Sequence, residues 1–382
     1  MCGAILRSKI LDLRKILISP DSYKDCLSSD RVSDSMEKGV HRADVSIKTI
    51  KIPASDGGEG FCACMKNIYG GSYVRLAVTY PDRSKGIAEY VISIDGESAF
   101  IELASASGLM LVPQDRRDPL YTTSLGTGEI IKDAVLKGAK KIFVGLGGSA
   151  TNDCGMGILS ALGYRFYDKS ENVLFPCGSS LIDVAKIDNS RALNLDSVEI
   201  IAACDVKNPL CGKNGAAYVF APQKGADAGS VDLLEKGALN FASACGINKD
   251  LPGSGAAGGC GAALLSLLGA KFVSGAELLT GSEKFLSALR ECDLVITGEG
   301  KTDLQTLNGK LVYAVSSAAK RYGKPVAVVS GAVSDLKSLS GLADVILRVS
   351  PEAISLEQAI AGAENNIIVV IEKLIKELMN TH

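Results

Sequence analysis

Histidine is scarce in this chain: of 382 residues only two are histidine, His41 within a helical pattern and His382 at the very end. Neither is placed to act as a catalyst, which excludes Ser/His/Asp hydrolases, histidine-ligated zinc enzymes and dehydrogenases that need a histidine proton donor. Any general base must therefore be a carboxylate or a lysine. An excess of one charge sign is lacking too. Charged residues make up 22% with a net charge of −2, the pI is about 5.9, and dispersed lysines and arginines give no footprint for a nucleic acid. No apolar run approaches the roughly 18 residues of a spanning helix. The opening MCGAILRSKILDLR is interrupted by Arg7, Lys9, Asp12 and Arg14, unlike a secretory signal. Eleven cysteines contain no Cys-x-x-Cys pair and no zinc spacing. That usage fits reduced, partly buried thiols of a cytoplasmic protein and not a disulfide framework.

What is present is an ordinary globular composition, 47% apolar, enough for about two domains with sizeable cores. The chain opens as strand 15–19, helix 28–40, strand 47–52 and helix 58–68, an alternation that predicts βαβ units and a parallel sheet. From 72 to 103 the texture changes to VRLAVTY, AEYVISI and AFIEL, short segments separated by PDRSKG and DGES, which predict antiparallel strands. The α/β pattern resumes with a helix at 128–136, a strand before Gly145, and strands VEIIAACD and AAYVFAP. The last block reads as strand 293–297, helix 309–321, strands 325–330 and 345–349, and a long amphipathic helix from Leu356 onward. The first and last blocks share one texture. The expected fold is α/β: a discontinuous Rossmann-like parallel-sheet domain (1–73 and 281–382), a second inserted α/β domain (74–280), and the active site in the cleft between them.

The richest stretch is VGLGGSATND, from Val144 to Asp153. A glycine-dense turn between a buried strand and a helix offers backbone N–H groups to an anion. Asn152 and Asp153 are expected in the first helical turn, where the Asp suits a phosphate that carries a divalent cation. Packing alone also makes such turns glycine-rich. Four further strand-end loops add to this one: SPDSYK (19–24), PASDGGEG (53–60), ACDVKNP (203–209, with APQKGA following at 221–226) and TGEGKTDLQT (297–306). Several loops with Asp, Glu or Lys among glycines at strand ends exceed what helix capping requires.

Two nucleotide motifs compete. LPGSGAAGG (251–259) has Gly253, Gly255 and Gly258 at dinucleotide spacing, but NKDLP before it is no strand. Gly145, Gly147 and Ala150 follow a strand, and Asp168 stands about 18 residues on, where a ribose-binding acid belongs. A nucleotide-dependent oxidoreductase of a small hydroxy acid therefore stays open, as does a non-catalytic sugar-acid sensor. The GKT at 300–302 lacks the earlier glycine of a Walker P-loop.

Taken together, ISPDSYK, DGGEG, TSLGTGE, GLGGSATNDCGMG, ACDVKNPLCG, PQKGA, GSGAAGG and ITGEGKTDLQT resemble the type I glycerate kinases, over about Lys15 to Lys376. The departures are Asp25 and Cys26 in place of a Gly-Ser pair, Asn308 where many members carry His, and an extension of fourteen residues. The resemblance implies ATP-dependent, Mg²⁺-assisted phosphorylation of D-glycerate, with 2-phosphoglycerate favoured over 3-phosphoglycerate. It implies no nucleic-acid or membrane partner, and a homodimer is the oligomeric expectation.

Phosphoryl transfer needs a carboxylate near the attacking hydroxyl and cations near the moving phosphoryl group. Asp205 is expected as the base and Lys24 as the cation. Ser22, Asp56, Thr123, Gly148, Ser149 and Asn208 are expected around the substrate. Gly147, Asn152, Asp153, Gln223, Lys224, Gly255, Gly258, Gly298 and Gly300 are expected around the nucleotide, and Glu299 and Asp303 around the metal.

Overall fold

The computed structural model describes residues 6, 10, 12–24, 26–55, 57–351 and 354–379, with the backbone alone at 308. The strands in chain order are β1 (Lys15–Ile18), β2 (Lys48–Lys51), β3 (Ser72–Thr79), β4 (Lys85–Ile92) and β5 (Ser98–Glu102). There follow β6 (Lys141–Gly145), β7 (Arg165–Tyr167), β8 (Lys186–Asp188), β9 (Glu199–Ala203) and β10 (Lys271–Val273). The last five are β11 (Leu294–Thr297), β12 (Lys301–Thr302), β13 (Val326–Ser330), β14 (Ala332–Val333) and β15 (Val345–Arg348).

The chain divides into two compact units, Met1–Asp56 with Gly275–His382, and Gly57–Ser274. Both boundaries fall earlier than the sequence suggests. The helix Phe61–Tyr69, placed by its βαβ texture in the first domain, packs with the second unit. Its Phe61 meets Gly145 at the end of β6, and its Tyr69 stacks on Phe100 at 5.1 Å between ring centres.

The first unit holds a five-stranded parallel sheet in the order β15-β13-β11-β1-β2. Strands β11 and β13 are buried along their whole length, as expected of a sheet covered on both faces. On one face lies the helix Ser29–Ala43, whose start is capped by Ser28 Oγ accepting from the Arg31 N–H. It buries Val32, Met36 and Val40, a four-residue spacing that puts all three on one stripe. Ile367, Ile371, Leu374 and Ile375 of the helix Ala363–Met379 join them in one apolar cluster. The expected single C-terminal helix is in fact two, broken at Gly362 between Leu356–Ala361 and Ala363–Met379.

From β1 the chain moves one way to β2, whereas β11, β13 and β15 step the other way. The switch in direction therefore falls between β1 and β11, the place where open parallel sheets leave a crevice at their carboxyl ends.

The second unit holds a six-stranded mixed sheet in the order β10-β9-β6-β5-β4-β3. The predicted hairpins β3–β4 and β4–β5 are antiparallel, and β5, β6, β9 and β10 run parallel. Their register aligns Glu102, Gly145 and Ala203 side by side, so the loops after β5, β6 and β9 leave from one edge. AAYVF is a helix, Ala216–Phe220, and not a strand. A five-residue apolar run carries no period long enough to separate the two, and here alanine favours the helix.

Gly298 shows how tightly the first sheet constrains its loops. A Cβ there would lie 1.7 Å from the Val329 carbonyl oxygen, so the β11 loop can leave only through glycine. Gly298→Ala should destabilise the protein by about 1–3 kcal/mol, the usual range for overpacking. Unfolding midpoints in urea check this; an unchanged midpoint would mean that β11 and β13 separate easily.

Candidate functional site

In the second unit, β6 ends at Gly145 and its loop is tied on every side. Leu146 N–H donates to Ala203 O, Gly147 N–H to Gly57 O and Ala150 N–H to Ser107 O, while Leu109 N–H donates to Gly148 O. Gly148 sits at φ 69°, a backbone turn that glycine tolerates. The N–H groups of Gly148 and Ser149 have no acceptor among the described residues.

Asp153 is fully buried. Its carboxylate accepts from Ser124 N–H at 2.7 Å, Ser124 Oγ at 2.8 Å, Gly155 N–H at 3.0 Å and Gly157 N–H at 3.2 Å. Burial raises its pKa above the ordinary carboxylate value, and these four donors oppose the rise. The helix expected to include it starts only at Met156. Asp153 therefore joins the loop to the chain entering the helix Leu125–Leu136 and does not stand at a helix start facing a cation. Asn152 beside it is also fully buried, with neither amide atom hydrogen-bonded among the described residues.

Lys224 is 2% exposed. Its Nζ donates to Ser149 Oγ at 2.7 Å and to Thr151 O at 2.7 Å. Burial pulls its pKa down to about 8, against the opposing influence of Cys260 and Asp153. Gln223 next to it is exposed. Thr123 is buried, and its Oγ1 accepts from Leu125 N–H at 3.3 Å, bracing the start of that helix. Asn208 donates to Asn214 O at 2.8 Å, bracing its own loop. Asp205 is exposed, two residues beyond the end of β9.

Gly258 has a packing reason. A Cβ there would lie 1.9 Å from Thr151 O, so this glycine and Gly255, similarly close to Pro209 O, let LPGSGAAGG press against the β6 and β9 loops. Asp168 departs further from expectation. It lies in the turn after β7, which pairs with β8 in a separate two-stranded sheet, and there it accepts from Ser170 N–H, Asn172 N–H and Asn172 Nδ2. This turn former follows a strand of an antiparallel pair rather than one of the parallel sheet, and the dinucleotide reading loses its acid.

In the first unit, the loops after β1 and β11 flank the switch in strand order. Asp21 N–H donates to Gly298 O at 2.8 Å, and Gly300 lies against the backbone of Tyr23 and Lys24. Ser22 is half-buried and Lys24 exposed. Glu299 is buried, and its Oε1 accepts from Thr302 Oγ1 at 3.1 Å and Thr306 Oγ1 at 2.6 Å. Burial raises its pKa, partly offset by those hydroxyls. Asp303 caps the turn Leu304–Asn308 in a capping box with Thr306 and faces Lys301 Nζ at 3.3 Å. Burial pushes its carboxyl up, but Gln305 N–H and Lys301 outweigh that and hold it below the ordinary value. Among the described residues no three acidic, histidine or cysteine side chains gather as a metal site. Asp56 lies outside the described residues.

The sequence reading missed Glu102. It ends β5 at the same edge as Gly145, where burial pushes its pKa up to about 7 against backbone donors at Cys62, Gly60 and Phe61, with Glu59 adding to the rise. The signal was the Glu closing AFIEL, obscured because that segment was read only as a hairpin strand.

Lys224 makes a testable statement about stability. Its pKa in the folded protein, about 8, lies below the ordinary 10.5. Between these values the unfolded chain binds more protons, so stability rises with pH across that window and is level below it. Relative to Lys224→Met, the wild type should gain on the order of 1–3 kcal/mol from pH 7.5 to 10. A difference in Tm between the two that does not move with pH would show that the ammonium is not held in a dry site.

No helix among the described residues is long and apolar enough to cross a membrane. The family model described as the glycerate kinase family matches residues 16–379. A glycerate 2-kinase of Escherichia coli (strain K12) is 42% identical over 362 residues, covering 92% of this chain and 95% of that protein. A glycerate kinase of Bacillus subtilis (strain 168) is 40% identical over 358 residues, covering 91% and 94%. A crystal structure assigned as glycerate kinase 2 from Salmonella typhimurium LT2 superposes with a TM-score of 0.82 at 40% identity, covering 96% of this chain and 99% of that one. With the match running over nearly every residue of both units, the chain belongs to the glycerate kinase family and is a kinase.

Proposed function

We propose that the chain transfers the terminal phosphoryl group of ATP to the 2-hydroxyl of D-glycerate, forming 2-phosphoglycerate and ADP. The observation that carries this reading is the loop after β6. At the carboxyl edge of parallel strands it holds N–H groups at Gly148 and Ser149 that are unpaired among the described residues, with a buried lysine behind them, which is the make-up of an anion receptor. The relative named for 2-phosphorylation supports the choice of hydroxyl. The free thiols of the described cysteines support a cytoplasmic setting.

In this reading Asp205 accepts the glycerate proton and Lys24 offsets charge on the moving phosphoryl group. Ser22, Gly148 and Ser149 have the donors for the substrate, and Asp56 would accept from one of its hydroxyls. Thr123 and Asn208 act through the backbone they brace. Asn152, buried with its amide unpaired among the described residues, and exposed Gln223 are assigned to the nucleotide, together with Gly147, Gly298 and Gly300. Asp153, Lys224, Gly255 and Gly258 serve from behind by holding those loops.

A magnesium ion bound with the nucleotide would neutralise charge on its phosphate oxygens. Glu299 and Asp303 are the residues that would hold it. Two carboxylates, one with an oxygen committed to two hydroxyls and the other engaged by Gln305 N–H and Lys301, suit an ion that arrives with phosphates and keeps part of its water shell.

Two measurements test the reading. Proton-coupled ³¹P spectra of the product should show a doublet, because phosphorus on the 2-oxygen couples to one carbon-bound hydrogen; a triplet would assign the 3-oxygen. Asp205→Asn should lower kcat by about 10²- to 10⁴-fold with a Tm close to wild type, because an exposed turn accepts Asn nearly as well. A near-normal kcat would remove Asp205 from the role of base.

A further inference from the structure

Lys224 and Ser149 together determine where one proton can go. An ammonium has three donors and no acceptor, so at 2.7 Å from Lys224 Nζ the Ser149 oxygen must be accepting. The hydroxyl proton of Ser149 is then left over, and no acceptor for it exists among the described residues. Ser149 is 7% exposed, too enclosed to leave that donor to bulk water at no cost. Its own N–H and that of Gly148 are likewise unspent.

We propose that Lys224 is a positioning residue that forces Ser149 to present its hydroxyl proton outward, as a donor to an anionic oxygen of a bound ligand. This deepens the kinase reading and rests on it. The oxygen belongs either to the glycerate carboxylate or to a nucleotide phosphate, and the experiment separates the two. Lys224 need not touch the ligand. If it loses its proton, the free amine can accept the Ser149 hydroxyl, which turns inward and stops donating.

Three groups face Lys224 besides Ser149: the Thr151 carbonyl, the Asp153 carboxylate and the Cys260 thiol. The thiol, pushed up to about 12, stays neutral in the relevant range. Asp153 is held by four N–H and O–H donors and by the Cys260 thiol at 4.0 Å. Glu102, near 7, titrates at the end of β5 and would act on a lower part of the pH profile.

The test is a double-mutant cycle on binding. Ser149→Ala, Lys224→Met and the double variant are compared with wild type by calorimetric titration of ATP and, separately, of D-glycerate. Each single change should weaken one ligand by about 10-fold or more, the scale of a hydrogen bond to a charged group. In the Ser149→Ala background Lys224→Met should cost less than about 2-fold more. Loss confined to glycerate assigns the carboxylate; loss confined to ATP assigns the phosphate. Additive losses, or no loss for either ligand, overturn the proposal. Should Lys224→Met fail to fold, the pH profile decides instead. Wild-type affinity should fall as pH rises through about 8 while that of Ser149→Ala stays level, and parallel profiles overturn the proposal. Because these are binding measurements, a wild type that binds both ligands without releasing ADP would count against the kinase reaction and leave the cycle readable.

Discussion

The second unit depends on one buried charge. A carboxylate taken out of water is costly unless its lone pairs are filled, and Asp153 fills them from two directions. Ser124 approaches from the chain entering the helix Leu125–Leu136, and Gly155 and Gly157 approach from its own loop. The result is a brace between a strand-end loop and a helix start. Lys224, 2% exposed, is bonded to the same loop at Ser149 and Thr151. The N–H groups of Gly148 and Ser149 at the outer edge of the loop are left without acceptors among the described residues, and a ligand meets donors that need little rearrangement.

The first unit reaches a similar end with hydroxyls. Glu299 gathers Thr302 and Thr306, and Thr302 in turn meets Ser330 at 2.7 Å. This network joins the loop after β11 to the end of β13. Loops that carry chemistry are commonly mobile; here the rigidity comes from short polar side chains buried under the loop, while the exposed Lys24 and half-buried Ser22 remain available at its rim.

Much of the architecture was legible because it rests on period and punctuation. Alternating VRLAVTY and AEYVISI became β3 and β4, and the apolar runs around Ile16 and Val295 became central parallel strands. The site was legible only as loops. From sequence, Asp153 looks like an acid ready for a cation, since nothing local announces that Ser124, 29 positions earlier, will donate to it. Nothing in PQKGA announces that Lys224, expected at the nucleotide, is buried, because that depends on Ser149 and Thr151, 75 and 73 positions away. The errors at Asp168 and AAYVF have another source. A turn acid and a five-residue apolar run follow local rules that many tertiary settings satisfy, and strand partnership decided both.

The placement of β1 between β2 and β11 has a consequence in time. Thr297 Oγ1 donates to Ser19 O across 278 residues of sequence, so β1 cannot be completed until β11, more than three quarters of the way along the 382 residues, exists. During synthesis of the second unit, all of whose strands are local to 57–274, β1 would be paired on one side only, with its apolar KILI run lacking the partner β11. Such a strand is slow to find its partner and prone to join another copy meanwhile. The second unit thus becomes an early-folding body, and the first, split around it, is the last to close.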